Sequence, residues 1–321
     1  MRARGPDLDG GLGIAGPREL GDVRRFSHEA MATVFEGYAI HRNERYAAQA
    51  AQAAFDLVDR LENELSRFRS NSDIARVNHL VAGESVRVGP AALECLLIAR
   101  HLYDLTSGAF DISIGTGLPS LELDVEDCVV RSTKDGVQVD LGGIGKGYAV
   151  DLVAELLEEW GIERALVHGG FSSVLALEAP EGRDGWPLTL SNPAAPSRVL
   201  ASLSVRQTAL GASGVRKGDH IVDPRTGEPV RGRLAAWVVL PRPDGPRVDS
   251  DGGLTIAAGA VTDALTTAFM LLSTAEIATL CARSPGLEAW VLPEPAGEDP
   301  GLLHFCGPRT RMLSRERLNG E

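Results

Sequence analysis

Positive charge is in short supply in this sequence. Its 32 lysines and arginines face 44 aspartates and glutamates, a net charge of −12. With no basic stripe to release counterions from phosphates, nucleic acid is excluded as a partner. Cysteine is scarce as well. The four cysteines, Cys95, Cys128, Cys281 and Cys306, lie far apart and lack metal-ligand spacing. Cys95 and Cys281 sit inside apolar helical patterns and read as core thiols. No apolar run is long enough to span a bilayer. The stretch from Met1 to Gly13 is polar and glycine-rich, without the apolar centre of a signal peptide. The expected location is therefore the cytoplasm as the sequence stands, or the periplasm if its start has been trimmed.

Familiar catalytic signatures are missing too. A Walker loop needs Ser or Thr after its lysine, and Gly147 follows Lys146. The Rossmann spacing is absent, because Gly143, Gly145 and Gly147 alternate without the two-residue gap. His168-Gly-Gly170 does not announce a serine hydrolase, since no Gly-x-Ser-x-Gly elbow exists.

What remains is a chain of 321 residues, 44% hydrophobic, able to bury a large core. Order is expected from near Ser27, with residues 1–25 disordered, a main domain over 27–310 and a flexible tail over 311–321. The pattern predicts a strand at Thr33–Ile40 and an alanine-rich helix over Arg45–Phe68, with a short helix at Ile74–Asn78. Pro90 opens a helix to Thr106, stopped by Ser107-Gly108. An alternating strand at Gly136–Asp140 leads into a helix that ends at Trp160. Strands follow at Arg164–His168, Ser173–Leu177, Leu188–Leu190, Val199–Val205, His220–Asp223 and Ala236–Leu240. Paired helices from Asp263 to Cys281 and a strand at Ala289–Leu292 close the series. Without a regular βαβ rhythm, this mixture reads as α+β with largely antiparallel sheets.

Four segments carry chemistry. Asp140-Leu-Gly-Gly-Ile-Gly-Lys-Gly-Tyr-Ala-Val-Asp151 joins a strand pattern to a helix pattern through glycines and a lysine. Such a junction lets backbone approach a ligand, and a helix N-terminus with a lysine favours anions; a tight turn would look the same. Ser107-Gly-Ala-Phe-Asp-Ile-Ser-Ile-Gly115 offers Asp111, either a turn aspartate or a site carboxylate. In Asp219-His-Ile-Val-Asp-Pro-Arg-Thr-Gly227, His220 lies close to Asp219 and Asp223 and is a candidate general base or a structural hydrogen-bonder. In Thr262-Asp-Ala-Leu-Thr-Thr-Ala-Phe269, Asp263 and Thr267 share a helix face beside Thr266. Oxygens there suit a hard cation such as Mg²⁺, or a dipole-satisfying carboxylate and a back-bonded threonine.

Taken in order, these segments resemble the signature of the ApbE family of flavin transferases. Met31-Ala-Thr33, Leu65-Ser-Arg-Phe68 with Val77-Asn78, Gly108–Asp111, Asp140–Asp151, Gly169-Gly170, His220–Gly227 and Asp263–Thr267 carry the match, over about residues 27–295. The resemblance implies a single large α+β domain with two sub-lobes around a flavin cleft. It implies an FAD:protein FMN transferase that splits the FAD pyrophosphate, passes FMN to a Ser or Thr hydroxyl and releases AMP. The partners implied are FAD and an acceptor protein, such as a subunit of a membrane redox complex. Met31, Phe68, Ala109, Phe110, Asp111, Asp140, Lys146 and Ile221 would contact FAD. Asp263, Thr267, Thr266 and the Gly143 carbonyl would hold Mg²⁺ or another divalent cation, and His220 would serve as the base. Hydrolysis of FAD to FMN and AMP, or flavin binding without catalysis, are the alternatives. The chain departs from the family in a short Gly115–Leu121 segment, in Phe171, in Thr262 and in lacking the frequent lipid-anchor cysteine.

Overall fold

The computed structural model describes residues 12–14, 23–170, 172–215, 221–242, 257–294 and 301–306. Helix α1 (Glu44–Leu65) starts where the Asn43 side chain accepts from the Tyr46 N–H. It buries Ala47, Ala50, Ala54, Val58, Leu61 and Leu65 along one stripe. The short α2 (Asp73–Val77) is capped by Ser72, and Pro90 opens α3 (Pro90–Leu105). Helices α4 (Gly145–Glu159), α5 (Ala258–Phe269) and α6 (Thr274–Arg283) follow, the last with a Ser273–Glu276 capping box.

The strands, in chain order, are β1 (Leu12–Ile14), β2 (Arg24–Ala30), β3 (Thr33–Ile40), β4 (Ser85–Arg87), β5 (Leu121–Asp124), β6 (Val129–Ser132) and β7 (Arg164–Gly169). They continue with β8 (Ser173–Ala176), β9 (Trp186–Asn192), β10 (Ala195–Val205), β11 (Thr208–Gly214), β12 (Arg233–Pro241), β13 (Glu288–Pro293) and β14 (Leu303–Cys306). Eight of them form one sheet in the order β14-β13-β12-β11-β8-β7-β3-β2, and β1-β9-β10 and β4-β6-β5 form two separate three-stranded sheets. Every described pairing is antiparallel, as the α+β reading expected.

The central sheet has two buried faces, and strand alternation divides the core between them. Phe35, Val167, Leu175, Ala209, Val238 and Val291 belong to the core that includes the helices. Tyr38, Leu166, Val174, Leu210, Trp237 and Trp290 point the other way and join Leu188, Leu190 and Leu203 of the β9–β10 pair in a second core. Cys95 and Cys281 are buried, as expected, and burial pushes the Cys281 thiol up to about 12.

α5 lies unusually close to its neighbours. A Cβ at Gly147 of α4 would stand 2.1 Å from the Gly259 carbonyl oxygen, and one at Gly211 of β11 would stand 2.4 Å from the Thr262 oxygen. Asp151 of α4 caps the start of α5, its two carboxylate oxygens accepting from the Gly259 and Ala260 N–H groups at 2.8 and 2.9 Å.

Several sequence expectations need correction. Gly136 turns the chain with φ of 72°, and residues 137–140 pair with no strand. Val139 instead exchanges both backbone hydrogen bonds with the Asn78 side chain, and the Asp140 N–H reaches the Ile112 carbonyl. Within the segment expected to lack order, Leu12–Ile14 form β1 against β9, and β2 begins at Arg24, ahead of Ser27. α5 begins at Ala258 rather than near Asp263, because its cap comes from a distant helix. Of the strand expected at His220–Asp223, His220 lies outside the described residues, and the rest makes a single bridge between Val222 and Pro229. Phe171 and residues 311–321 also lie outside them.

Two outcomes follow from this packing. Gly147→Ala must push α4 and α5 apart and should destabilise the protein by about 3 kcal/mol in denaturant melts; unchanged stability would refute the contact. Glu36, on β3, is buried beside Arg25, Tyr38 and His168. Burial raises its carboxyl, but hydrogen bonds from His168, Arg25 and Tyr38 outweigh this and bring it down to about 2 from 4.5. A lowered carboxyl stabilises the fold above its unfolded value and loses that contribution as pH falls through the folded one. The stability difference between wild type and Glu36→Gln should therefore shrink between about pH 4.5 and pH 2 in thermal melts. A pH-independent difference would count against it.

Candidate active site

The hairpin turns β2–β3 and β7–β8 and the C-terminal end of β11 come together at one end of the central sheet, fixed by the registers Ala30↔Thr33, Phe35↔Gly169 and Gly211↔Ser173. Against this end stand the N-terminal turn of α4 and the middle and last turns of α5, which carry Asp263 and Thr267. The result is a cleft of about 410 Å³ lined by Ala109, Phe110, Asp111, Asp140, Gly143, Lys146, Ile221, Asp263 and Thr267, together with Gly170, Ser172 and Ser213. A second hollow of about 210 Å³, lined by Met31, Ala32, Arg67 and Phe68, shares Asp140, Gly142 and Lys146 with the first. Residues spread over the whole sequence thus meet on both sides of one glycine-lysine loop.

That loop is built from Asp140 forward. Its Oδ1 accepts from the Gly142 N–H at 2.9 Å and caps the turn Leu141–Gly143, while Oδ2 pairs with Arg67 Nε at 3.1 Å. The Arg67 guanidinium also lies over the Phe68 ring, 4.7 Å from its centroid. Phe68 is 83% exposed, a flat apolar face held at the rim of the second hollow. On the opposite wall, Met31 and Ala32 form a two-residue hairpin turn with φ of 49° and 56°. Both sit in the left-handed region that such turns demand and that non-glycine residues resist.

Asp263 is 3% exposed, so its charge needs compensation. The Gly147 N–H, one of the open donors at the start of α4, donates to Oδ2 at 3.0 Å. Lys146 Nζ stands 3.4 Å from the same oxygen and donates to the Gly142 carbonyl at 3.0 Å. Gly143 is wedged beside Thr267: a Cβ there would meet Thr267 Oγ1 at 3.7 Å and the Phe110 ring at 3.3 Å. A carboxylate that already draws a cation and a hydroxyl line the same cleft as Gly143, whose backbone carbonyl would complete an all-oxygen donor set. This suits a hard divalent ion that keeps waters and ligand phosphates in its remaining positions. Among the described residues no group of three or more His, Cys, Asp or Glu could hold a metal by itself.

Other expected site residues turn out differently. Thr266 does not line the cleft. It is fully buried, and its hydroxyl donates to the Asp263 carbonyl at 2.7 Å and contacts Ser213 Oγ at 2.9 Å. Asp111 lines the cleft but also serves its own turn, accepting from the Ser113 N–H, the Ser113 hydroxyl and the Gly115 N–H. Asp223, considered as a partner for His220, pairs bidentately with Arg225, which holds its carboxyl below the usual range. His220 lies outside the described residues; Ile221, next in the chain, is buried and lines the cleft. Sequence reasoning missed Ser213, Arg67 and the capping role of Asp151. Arg67 and Asp151 stand inside quoted motifs, and Ser213 lies in a strand of small residues with no pattern of its own.

Comparison with known proteins places this arrangement. A relative from Vibrio cholerae named FAD:protein FMN transferase is 26% identical over 268 residues, 71% of this chain and 79% of that one. One of the same name from Klebsiella pneumoniae is 25% identical over 228 residues, 59% of this chain and 70% of that one. The solved structure of the flavin transferase ApbE from Vibrio cholerae has the same fold, with a TM-score of 0.72 at 19% identity, covering 89% of this chain and 97% of that one. The flavinyl transferase ApbE of Pseudomonas stutzeri also scores 0.72, at 22% identity over 88% and 93%. The pattern of the ApbE family matches residues 31–119 and 116–291, a span that holds the glycine-lysine loop, Asp263 and both walls of the cleft. This chain belongs to the ApbE family.

Proposed function

We propose that this protein is an FAD:protein FMN transferase that cleaves the FAD pyrophosphate and passes FMN to a Ser or Thr hydroxyl of an acceptor protein, with release of AMP. The observation that carries this reading is the pair of hollows meeting at Asp140–Lys146. FAD has two flat ring systems joined by a pyrophosphate, and the shared loop offers glycine backbone, a helix start and a lysine at the junction. The names borne by the relatives from Vibrio cholerae and Klebsiella pneumoniae support the same chemistry.

In the proposed reaction the acceptor hydroxyl oxygen attacks the FMN phosphorus. The bond to the AMP phosphate breaks, and a phosphodiester links FMN to the acceptor. His220 takes the hydroxyl proton, and AMP leaves with the bond's electron pair. Lys146 offsets charge growing on the phosphate oxygens, and Phe68 offers a stacking face to one ring system. Asp263, Thr267 and the Gly143 carbonyl would hold Mg²⁺, which when bound neutralises charge on the pyrophosphate.

Incubation with FAD, Mg²⁺ and a Ser/Thr acceptor peptide, followed by mass spectrometry, should show an FMN adduct and free AMP. FMN and AMP without adduct would make the protein a pyrophosphatase, and unchanged bound FAD would make it a flavin-binding protein. His220→Ala should lower transfer by about 10²–10⁴-fold while FAD binding persists; equal loss of both would refute the role as base. Phe68→Ala should raise KM for FAD about tenfold with kcat nearly unchanged, the signature of lost ground-state stacking. A fall confined to kcat would remove Phe68 from the binding surface.

A further inference from the structure

The hydroxyls around α5 have a forced polarity. Thr266 has one hydroxyl hydrogen and gives it to the Asp263 carbonyl, which can only accept. In the 2.9 Å contact between Ser213 Oγ and Thr266 Oγ1, Ser213 must therefore be the donor. Ser213 then has no hydrogen left for Thr267, so across their longer, 3.5 Å contact only the Thr267 hydroxyl can donate. The chain of donors runs one way: Thr267 to Ser213, Ser213 to Thr266, Thr266 to the α5 backbone.

This direction matters for the cleft. A hydroxyl can coordinate a cation only through a lone pair, and its hydrogen must point elsewhere. Thr267 lines the cleft beside Asp263, and its hydrogen is drawn toward β11, leaving lone pairs for the cleft. Building on the transferase reading, we infer that Ser213 is a positioning residue for the cation site, orienting the Thr267 hydroxyl through a relay anchored on Thr266. Ser213 thereby gives Thr266 a function different from the ligand role expected for it. β11 can bring Ser213 this close because Gly211, two residues earlier, lets the strand touch the α5 backbone.

The test uses the full chain and two readouts: Mn²⁺ binding, followed as loss of the free-ion EPR signal, and the half-saturating Mg²⁺ concentration for AMP release from FAD. Ser213→Ala should weaken Mn²⁺ binding and raise the Mg²⁺ requirement, each about tenfold, as loss of a group supporting a metal ligand does. Flavin fluorescence in EDTA should show FAD binding retained, and Ser213→Thr, which keeps the hydroxyl, should restore both readouts. Wild-type Mn²⁺ affinity in Ser213→Ala, or equal loss in Ser213→Thr, overturns the inference. Where circular dichroism shows Ser213→Ala unfolded, Thr266→Val breaks the same relay one step further out. It should weaken Mn²⁺ binding in the same direction, and wild-type affinity there overturns the inference as well. A wild-type protein that neither binds Mn²⁺ nor releases AMP refutes the transferase reading itself, and the relay with it.

Discussion

Everything at the cleft depends on two helices meeting without side chains between them. Gly147 of α4 and Gly259 of α5 bring their backbones together, and Asp151 fastens the start of α5 from one helical turn further along α4. Because the helices touch at this point, the Gly147 N–H can reach Asp263, and Lys146 comes within reach of the same carboxylate. Larger side chains would widen the gap, and the buried carboxylate would lose the donors that make its charge tolerable. The glycines of the loop thus serve helix packing as much as ligand approach. The loop proposed to hold the pyrophosphate and a helix-crossing point occupy the same few residues.

The site also divides its polar groups by duty. Asp140 and Asp111 face the cleft while holding the turns from which they project, so each fixes the geometry of its own loop. Thr266 and Thr267, adjacent in sequence, separate cleanly: one hydroxyl ties back to its own helix and the other faces the cleft. Pre-formed hydrogen bonds of this kind hold charged and polar groups in place before any ligand arrives, when reorganisation would otherwise cost binding energy.

Much of this was legible in the sequence where a single element decides the outcome. The stripe of α1, the proline start of α3 and the apolar runs of β7 and β13 state their own structure, and the structure keeps them within a few residues. What escaped depends on partners far away. β2 is an edge strand with charged residues on its open side, and β11 is built from Ala, Gly and Ser, whose smallness answers to α5 above it. Gly136–Asp140 alternates like a strand, and Val137 and Val139 are buried like one, but an asparagine side chain takes the neighbouring strand's place. At the site, motif resemblance located the cleft-lining residues. It could not separate Thr266 from Thr267 or find Ser213, because which way a hydroxyl faces is settled by contacts between elements.

The Met31–Ala32 turn shows where this fold has left stability unclaimed. Two consecutive residues hold a backbone shape that Asn-Gly adopts with ease, at a cost of the order of 1 kcal/mol or more each. The return is a thioether on the wall of the second hollow. Selection for heat resistance alone would drift toward Asn-Gly here, and selection for the cleft would pull the methionine back. On the proposed reading of the second hollow as part of the FAD site, the hairpin is a point where robustness and recognition compete.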